Sequence, residues 1–319
     1  MIHIILNIIV PVFSIIFFIF WVPGFWLSNV MRRCYKSVYP EELSGKVILI
    51  TGASSGIGEH LAIEFAKEGA YLALVARREK QLRLVAQNAK AMGSPDVIVL
   101  PADISKIDDC KTFVYRTIKH FGKLDYLVNN AGVSSLGFFE EQSCFHNHAS
   151  VLDINFWGSV YTTHFALPYL KRNKGKIIAI CSTASWFVGP RLCFYNASKA
   201  AMLSFFETLR IEVDSDIDII VVTPGMVKTN LTLDTKLEKG NALWIPALSS
   251  STCAKDIVNC AKRGDNYLTN PFWMKTVFLW KMLCPTVLNA TMKLVFISRA
   301  PDSSSKKSNT LQPDFNLTS

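Results

Sequence analysis

Lys46-Val47-Ile48-Leu49-Ile50-Thr51-Gly52-Ala53-Ser54-Ser55-Gly56-Ile57-Gly58 is an aliphatic run that breaks directly into a glycine-rich turn. An apolar run of this length reads as a buried strand, and the amphipathic stretch behind it, Gly58 to Glu68, reads as a helix. The glycines let the backbone turn tightly and approach a pyrophosphate, which the helix N-terminus stabilises through its free N–H groups and its dipole. Strand, glycine-rich turn and helix in that order point to a dinucleotide site. No Gly-Lys-Ser/Thr follows the turn, so a P-loop is excluded.

Outward from this unit, short Val/Ile/Leu runs alternate with helix-length amphipathic stretches. Strands are expected at Lys46–Thr51, Tyr71–Ala76, Val97–Pro101, Leu124–Asn129, Lys176–Cys181 and Ile217–Thr223. Helices are expected near Gly58–Glu68, Glu79–Ala91, Lys106–His120, Val151–Lys171, Tyr195–Val213 and Cys253–Lys262. This alternation predicts an α/β fold with a single Rossmann-like, doubly wound parallel sheet covered on both faces. The 319 residues, 50% hydrophobic, fit one such domain with appendages better than two. The eight cysteines form no C-x-x-C pair and no His cluster stands at ligand spacing, so no metal site or disulfide framework is expected. Isolated cysteines read as small buried hydrophobes. Net charge is +9, but the basic residues do not interleave with aromatics, so nucleic acid is not an expected partner.

The end of the second expected strand selects the nucleotide. An acid there would hydrogen-bond a free ribose 2′-hydroxyl, whereas Ala76-Arg77-Arg78 offers two guanidiniums suited to a 2′-phosphate. NADP(H) is therefore favoured over NAD(H), against the plain alternative that both arginines are only solvated. Asp103, just past the third strand, either meets the adenine amino group or caps the following helix.

A second motif lies far along the chain at Tyr195-Asn196-Ala197-Ser198-Lys199. Residues four apart share a helix face, so a phenol and an ammonium become neighbours, and a nearby cation favours the phenolate. That pairing suits general acid/base chemistry, although the spacing alone also arises on ordinary exposed helices.

The ends of the chain are apolar in a different way. From Met1 to Met31 there is no Asp, Glu, Lys or Arg, and Ile4 to Trp21 is Ile, Phe and Val almost throughout. Residues 1–31 are thus expected to be a retained membrane or lipid-droplet anchor rather than a cleaved signal, since the start lacks basic residues and no cleavage pattern follows. Pro11 and Pro23 favour a bent or re-entrant segment over a straight helix. Arg32, Arg33 and Lys36 follow with no basic counterweight before them, which places the following domain in the cytosol. Asn230, Asn289 and Asn316 begin N-x-S/T sequons that a lumenal domain would expose to glycosylation, as does Asn196 inside the motif helix. Residues 266–299 form an apolar extension rich in Trp and Phe with interspersed lysines, read equally as membrane-associated or as a buried C-terminal helix. Residues 300–319 are expected to be disordered.

Thr51-Gly52-x-x-x-Gly56-x-Gly58, Asn129-Asn130-Ala131-Gly132, a serine thirteen residues before Tyr195, Tyr-x-x-x-Lys and Pro224-Gly225 stand in one order and spacing. Over residues 43–265 this pattern resembles the short-chain dehydrogenase/reductase family. More narrowly, Leu152-Asp153-Ile154-Asn155-Phe156-Trp157-Gly158-Ser159-Val160-Tyr161, Phe194 to Lys199 and the Pro11-x11-Pro23 spacing look like the plant 11β-hydroxysteroid dehydrogenase-like proteins called steroleosins. The resemblance implies an NADP-binding oxidoreductase that interconverts hydroxyl and ketone on a steroid- or sterol-like substrate. It also implies a homodimer, and an endoplasmic-reticulum or lipid-droplet location.

The roles implied by the resemblance fall on named residues. Tyr195 would move the proton, and Lys199 would lower the tyrosine pKa and hold the nicotinamide ribose. Ser182 would orient the substrate oxygen, chosen over Cys181 and Thr183 by its offset from Tyr195. Asn155 would complete a proton relay through water, or merely bond at a helix kink. Gly52, Ser54, Ser55, Gly56, Ile57 and Gly58 would hold the pyrophosphate side. Asn130, Ala131 and Gly132 would let the cofactor lie close, and Pro224, Gly225 and Thr229 would border the nicotinamide side. Ser55 stands where a basic residue is common in NADP-preferring members, so the NADP expectation rests on Arg77 and Arg78. The expected substrate lid, Met226 to Thr252, is apolar at Trp244, Ile245, Pro246 and Leu248. A surface protein of the droplet or membrane, using this fold for structure or cofactor sensing, is the alternative.

Overall fold

The computed structural model describes residues 2–141, 146–213, 216–234 and 246–296. Seven strands make one parallel sheet: β1 (Val47–Thr51), β2 (Tyr71–Ala76), β3 (Val97–Pro101), β4 (Tyr126–Asn129), β5 (Lys176–Ile180), β6 (Asp218–Pro224) and β9 (Tyr267–Asn270). Their order across the sheet is β3-β2-β1-β4-β5-β6-β9. A minor parallel pair, β7 (Val227–Lys228) and β8 (Leu248–Ser249), lies apart from it. Strand order runs outward in both directions from the β1/β4 boundary, which opens a crevice at the carboxyl ends of those strands.

Every residue of β1, β4 and β5 is buried, so these strands carry no in/out alternation of polarity. Helices cover both faces of a parallel sheet, which is why its central strands are apolar except at their ends, at Thr51, Asn129 and Lys176. Ile48, Ile50, Leu72 and Leu74 point to one face, where they meet Leu61 and Phe65 of α2 (Gly56–Lys67), Leu82 and Val85 of α3 (Glu79–Ala91), and Ile257 of α9 (Ser250–Arg263). Val47, Leu49, Ala73 and Val75 point to the other. There they meet Phe113 of α4 (Ile107–Phe121), Leu170 of α6 (Gly158–Arg172) and Phe206 of α7 (Cys193–Val213).

Ahead of α6, α5 (His146–Leu152) continues into it through a π-helical turn at Asp153–Trp157, so the single helix expected from Val151 is interrupted in its backbone pattern. The short α8 (Asn230–Asp234) follows β7.

Three expectations change. The seventh strand, β9, extends the sheet beyond residue 265; four residues at an edge, with Tyr267 half exposed, leave no apolar run to read. The segment before the domain is one helix, α1 (Ile2–Val38), running through Pro11 and Pro23 instead of bending into a hairpin. Each proline removes one backbone donor, and the turns on either side carry the helix past it. Cysteines 110, 181, 253 and 260 are buried as expected, but Cys34, Cys193 and Cys284 are exposed.

Ile2–Ser28 is long and apolar enough to cross a membrane, and none of it is buried against the domain. Its 27 residues rise about 40 Å, more than a hydrocarbon core of about 30 Å. Glu41, in the linker after α1, pairs with Lys176 at the amino end of β5, and its backbone N–H donates to Lys262 O at 2.9 Å. Burial would raise the Glu41 pKa, but Lys176 outweighs it and holds the carboxylate below its usual range. After β9 come α10 (Met274–Leu283) and α11 (Pro285–Phe296), which bury Met274 and Leu288 and leave most of their apolar side chains exposed. The expected tail, Asn316, Trp244 and Ile245 lie outside the described residues.

Candidate active site

The site is built at the carboxyl ends of β1, β4, β5 and β6. Thr51 ends β1 and is buried; its hydroxyl accepts from the N–H groups of Asn130 (3.0 Å) and Ala131 (3.2 Å). The Asn130 amide donates back to Thr51 O at 2.9 Å and Gly52 O at 3.3 Å. These bonds lace the β1 and β4 ends together, so the glycine-rich turn cannot drift from Asn130-Ala131-Gly132.

Gly52 has φ +66°, and a Cβ there would stand 2.6 Å from Ala131 Cα. At Gly58 a Cβ would meet Gly52 O and Asn130 Nδ2 at 2.4 Å each. Only glycine allows the start of α2 to close on the turn, and this closure shapes the cradle into which a pyrophosphate fits. Gly58 itself lies behind the cleft wall, whereas Gly52, Ser54, Ser55, Gly56 and Ile57 line it. Thr229, expected toward the nicotinamide, stands against Gly56, since a Cβ on that glycine would meet Thr229 Cγ2 at 3.2 Å.

Both arginines after β2 are exposed, and Arg78 is held by hydrogen bonds. Arg78 donates to the Ser55 hydroxyl at 2.5 Å and to Ser54 at 3.1 Å, which draws its guanidinium onto the glycine-rich turn. Arg77 acts on Asp103 across the same cleft. Burial alone would raise the Asp103 pKa, but hydrogen bonds from Ser105 and the charge of Arg77 hold it below its usual value. Asp103 makes an Asx turn, accepting from Ser105 N–H at 3.1 Å, and Lys106 takes the N-cap position of α4 instead. Its carboxylate therefore stays at the cleft wall.

At the other end of the same cleft, about 420 Å³ in volume, stand Ser182, Tyr195 and Lys199. Ser182 follows β5 with an extended backbone; its hydroxyl accepts from Ala184 N–H at 3.1 Å and contacts Pro224 O at 3.4 Å. Burial raises the Tyr195 pKa above its ordinary value, opposed by a hydrogen bond with Ser182. Lys199 Nζ donates to Ile180 O at 2.8 Å, and burial lowers its pKa to about 8. The lysine Nζ is therefore directed at the β5 carbonyl, and burial sets the direction of the Tyr195 shift. Desolvation dominates because the first turns of α7 lie against the sheet end, where Lys199 is buried and Tyr195 is partly buried.

Asn155 does not line the cleft. It is fully buried in the π-turn, accepts from Val133 N–H at 2.8 Å, and donates to Val133 O and Ser198 Oγ at 2.9 Å each. Its side chain pins the strand-end loop to α7, one residue from Lys199. A Cβ on Gly132 would lie 3.2 Å from Asn155 Oδ1 and 3.6 Å from Lys199 Nζ, so the backbone at 132 runs close against both side chains. Sequence reading did not single out Thr51 and Ser198, which hold the others in place, nor Asn230 and Thr232, which close the cleft beside Thr229. An interior polar residue such as Ser198, one position before the motif lysine, was the available signal.

A crevice at the switch point of a doubly wound sheet, bordered by a glycine-rich turn and a Ser-Tyr-Lys set, defines a nucleotide-dependent oxidoreductase. The short chain dehydrogenase family model matches residues 46–240, and the chain belongs to the short-chain dehydrogenase/reductase family. It is 46% identical to 11-beta-hydroxysteroid dehydrogenase 1A of Arabidopsis thaliana over 305 residues, covering 92% of this chain and 87% of that protein. It is 43% identical to 11-beta-hydroxysteroid dehydrogenase A of Sesamum indicum, covering 93% and 89%. Among solved structures, a short chain dehydrogenase/reductase from Burkholderia phymatum in complex with NAD superposes with a TM-score of 0.69 at 26% identity, covering 76% of this chain and 95% of that one. An alcohol dehydrogenase from Thermococcus sibiricus complexed with 5-hydroxy-NADP gives 0.63 at 29% identity, covering 71% and 96%.

Proposed function

We propose that this chain is an NADP(H)-dependent dehydrogenase/reductase that interconverts a hydroxyl and a ketone on a steroid- or sterol-like molecule. One observation carries the reading: Ser182, Tyr195 and Lys199 share a single cleft with the glycine-rich turn and the Arg77–Arg78 pair. The cofactor would supply or accept the hydride. Gly52, Ser54, Ser55, Gly56 and Ile57 would hold its pyrophosphate, with Asn130, Ala131, Gly132, Pro224, Gly225 and Thr229 along its length. Arg77 and Arg78 would take the 2′-phosphate, where fixed guanidiniums suit a dianion.

In reduction, Tyr195 Oη donates a proton to the ketone oxygen while Ser182 Oγ orients that oxygen. A phenol kept protonated by burial suits donation near neutral pH. Lys199, charged below about pH 8, stabilises the phenolate left behind. Asn155 is a positioning residue here, holding Val133 and Ser198 around the site.

The relatives named for hydroxysteroids support the substrate class. Helix α1, long and apolar enough to cross a membrane, supports a membrane-anchored enzyme, which the proposal places at the endoplasmic reticulum or lipid droplet, and Arg32, Arg33 and Lys36 behind the apolar run support a cytosolic catalytic domain. Of the described sequons, Asn230 lines the cleft and Asn196 lies in α7 beside Tyr195, while Asn289 is exposed on α11. A lumenal domain would thus carry a glycan at Asn289, and a mass change on treating the expressed protein with a glycan-removing enzyme would refute the cytosolic placement.

The decisive experiment assays detergent-solubilised full chain with keto- and hydroxysteroids and lipid alcohols, each with NADPH/NADP and NADH/NAD. Turnover on at least one steroid with preference for the phosphorylated cofactor is expected. No turnover across the panel sinks the enzymatic reading, and equal efficiency with both cofactors sinks the role of Arg77 and Arg78.

A further inference from the structure

Two loops flank the substrate side of Tyr195, and each is fastened to the body of the domain at its root. The loop after β4 is held at Val133, whose N–H and carbonyl both bond to the Asn155 amide. The loop after β5 is held where Ser182 Oγ accepts from Ala184 N–H and where the Trp186 ring packs against Phe278. Past these roots the loops hold each other. Gly137 N–H donates to Arg191 O at 3.0 Å, the Arg191 guanidinium lies 4.4 Å from the centre of the Phe138 ring, and Phe139 meets Phe194 at 6.1 Å. Behind them the His148 ring of α5 stacks on Phe194 at 4.4 Å, one residue before Tyr195.

This lacing closes the substrate side. No residue of 134–141 or 183–194 lines the cleft, although Val133, Ser182 and Tyr195 at their borders do. A ketone must reach Ser182 Oγ and Tyr195 Oη, so room for its carbon frame has to come from between the two loops. The closed arrangement also carries costs that parting would relieve. Arg191 has φ +68°, a left-handed conformation disfavoured in a residue with a side chain. Among the described residues, the buried atoms Ser185 Oγ and Asn196 Oδ1 find no hydrogen-bond partner, a condition native interiors seldom keep. Asn196 Nδ2 donates to Gly189 O at 3.3 Å, so its amide is tied to the loop that would lift. Loops joined by a few contacts and opposed by strain open at low cost.

We propose that Phe138 and Arg191 form a clasp beside the catalytic tyrosine, and that the two loops must part there before a substrate reaches it. The proposal rests on reading Tyr195 as the general acid of a dehydrogenase. The clasp is distinct from the segment after β6 that was expected to be the lid. Parted loops present Phe138, Phe139 and Phe194 to what enters, and three aromatic rings suit a fused apolar frame with its ketone leading. Arg191 is the latch, since a cation over a ring is a contact of modest strength that an apolar substrate surface can replace. A clasp that is mostly closed lowers the apparent substrate affinity in proportion to the open fraction, so loosening it improves binding.

Phe138→Ala and Arg191→Gly loosen the clasp from opposite walls, and Arg191→Gly also relieves the left-handed φ while keeping the backbone bond to Gly137. The test combines steady-state kinetics of the detergent-solubilised full chain, with a ketosteroid and NADPH, and tryptic cleavage after Arg191 followed by mass spectrometry. Each variant should raise kcat/KM for the ketosteroid several-fold through a lower KM, with the KM for NADPH unchanged, and the double variant should gain little beyond either one. Phe138→Ala should also speed cleavage of the Arg191–Leu192 bond several-fold, and Phe138→Tyr, which keeps a ring, should cleave at the wild-type rate. A ketosteroid KM that stays the same or rises in either loosened variant overturns the gate. Cleavage unaffected by Phe138→Ala overturns the clasp itself and leaves the enzymatic reading standing. Wild type that turns over no ketosteroid removes that reading, and this proposal with it.

Discussion

Lys199 is a buried cation whose stability cost can be isolated by pH. Its side chain is 4% exposed, its Nζ donates to Ile180 O, and burial lowers its pKa from 10.5 to about 8. That drop corresponds to roughly 3 kcal/mol against the charged form in the folded state. The unfolded chain binds the proton more readily between pH 8 and 10.5, so over this window stability rises with pH. Below pH 8 the penalty is fully present; above 10.5 it is gone. Lys199→Met removes the titration and also strands the Ile180 carbonyl, a loss that does not vary with pH. Urea unfolding of detergent-solubilised wild type and variant, without added cofactor, at pH 7, 8, 9 and 9.5 separates the two. Wild type should gain on the variant by about 2 kcal/mol between pH 7 and 9.5, whatever the offset at pH 7. A stability difference that stays constant across this range refutes a depressed Lys199 and the burial argument behind it.

Three other outcomes follow from the same geometry. Tyr195→Phe should lower kcat for ketone reduction by about 10²- to 10⁴-fold, the usual worth of a general acid, while NADPH titration shows unchanged cofactor binding; near-wild-type turnover would remove Tyr195 from the chemistry. Gly58→Ala should cost about 1–3 kcal/mol in urea unfolding, because its methyl must displace the Gly52 carbonyl and the Asn130 amide; an unchanged midpoint would mean that the turn does not close on α2 as described. Lys176→Met should destabilise by about 1–2 kcal/mol, less than for a fully buried pair because Glu41 is 29% exposed. Adding Glu41→Gln should restore part of that loss, and strict additivity of the two changes would show that the linker is not held by this pair.

The central strands and the glycine-rich turn were legible because local rules specify them. A strand buried on both faces must be apolar throughout, and a backbone that meets another backbone must be glycine, so Val47–Thr51 and Gly52 to Gly58 could be read without neighbours. β9 was not legible, because Tyr267–Asn270 becomes a strand only through hydrogen bonds to β6. Residues 266–299 left two readings open, buried or lipid-facing, since composition does not say which face of a helix meets the domain.

The site divides in the same way. Residue types and a fixed helical pitch paired Tyr195 with Lys199, because proton transfer demands particular functional groups, and the family resemblance added Ser182. Charge states were not in the sequence. Four residues of separation places an ammonium near a phenol, but the dielectric around them depends on what packs there. α7 against the ends of β5 and β6 raised one pKa and lowered the other. Asn155 shows the same limit, since the resemblance pointed to it and only tertiary contact showed its amide holding Val133 and Ser198. What the sequence by itself determined was chemistry carried by residue type and local repeat; what the tertiary structure decided was everything that depends on exclusion of water and on partners distant in the chain.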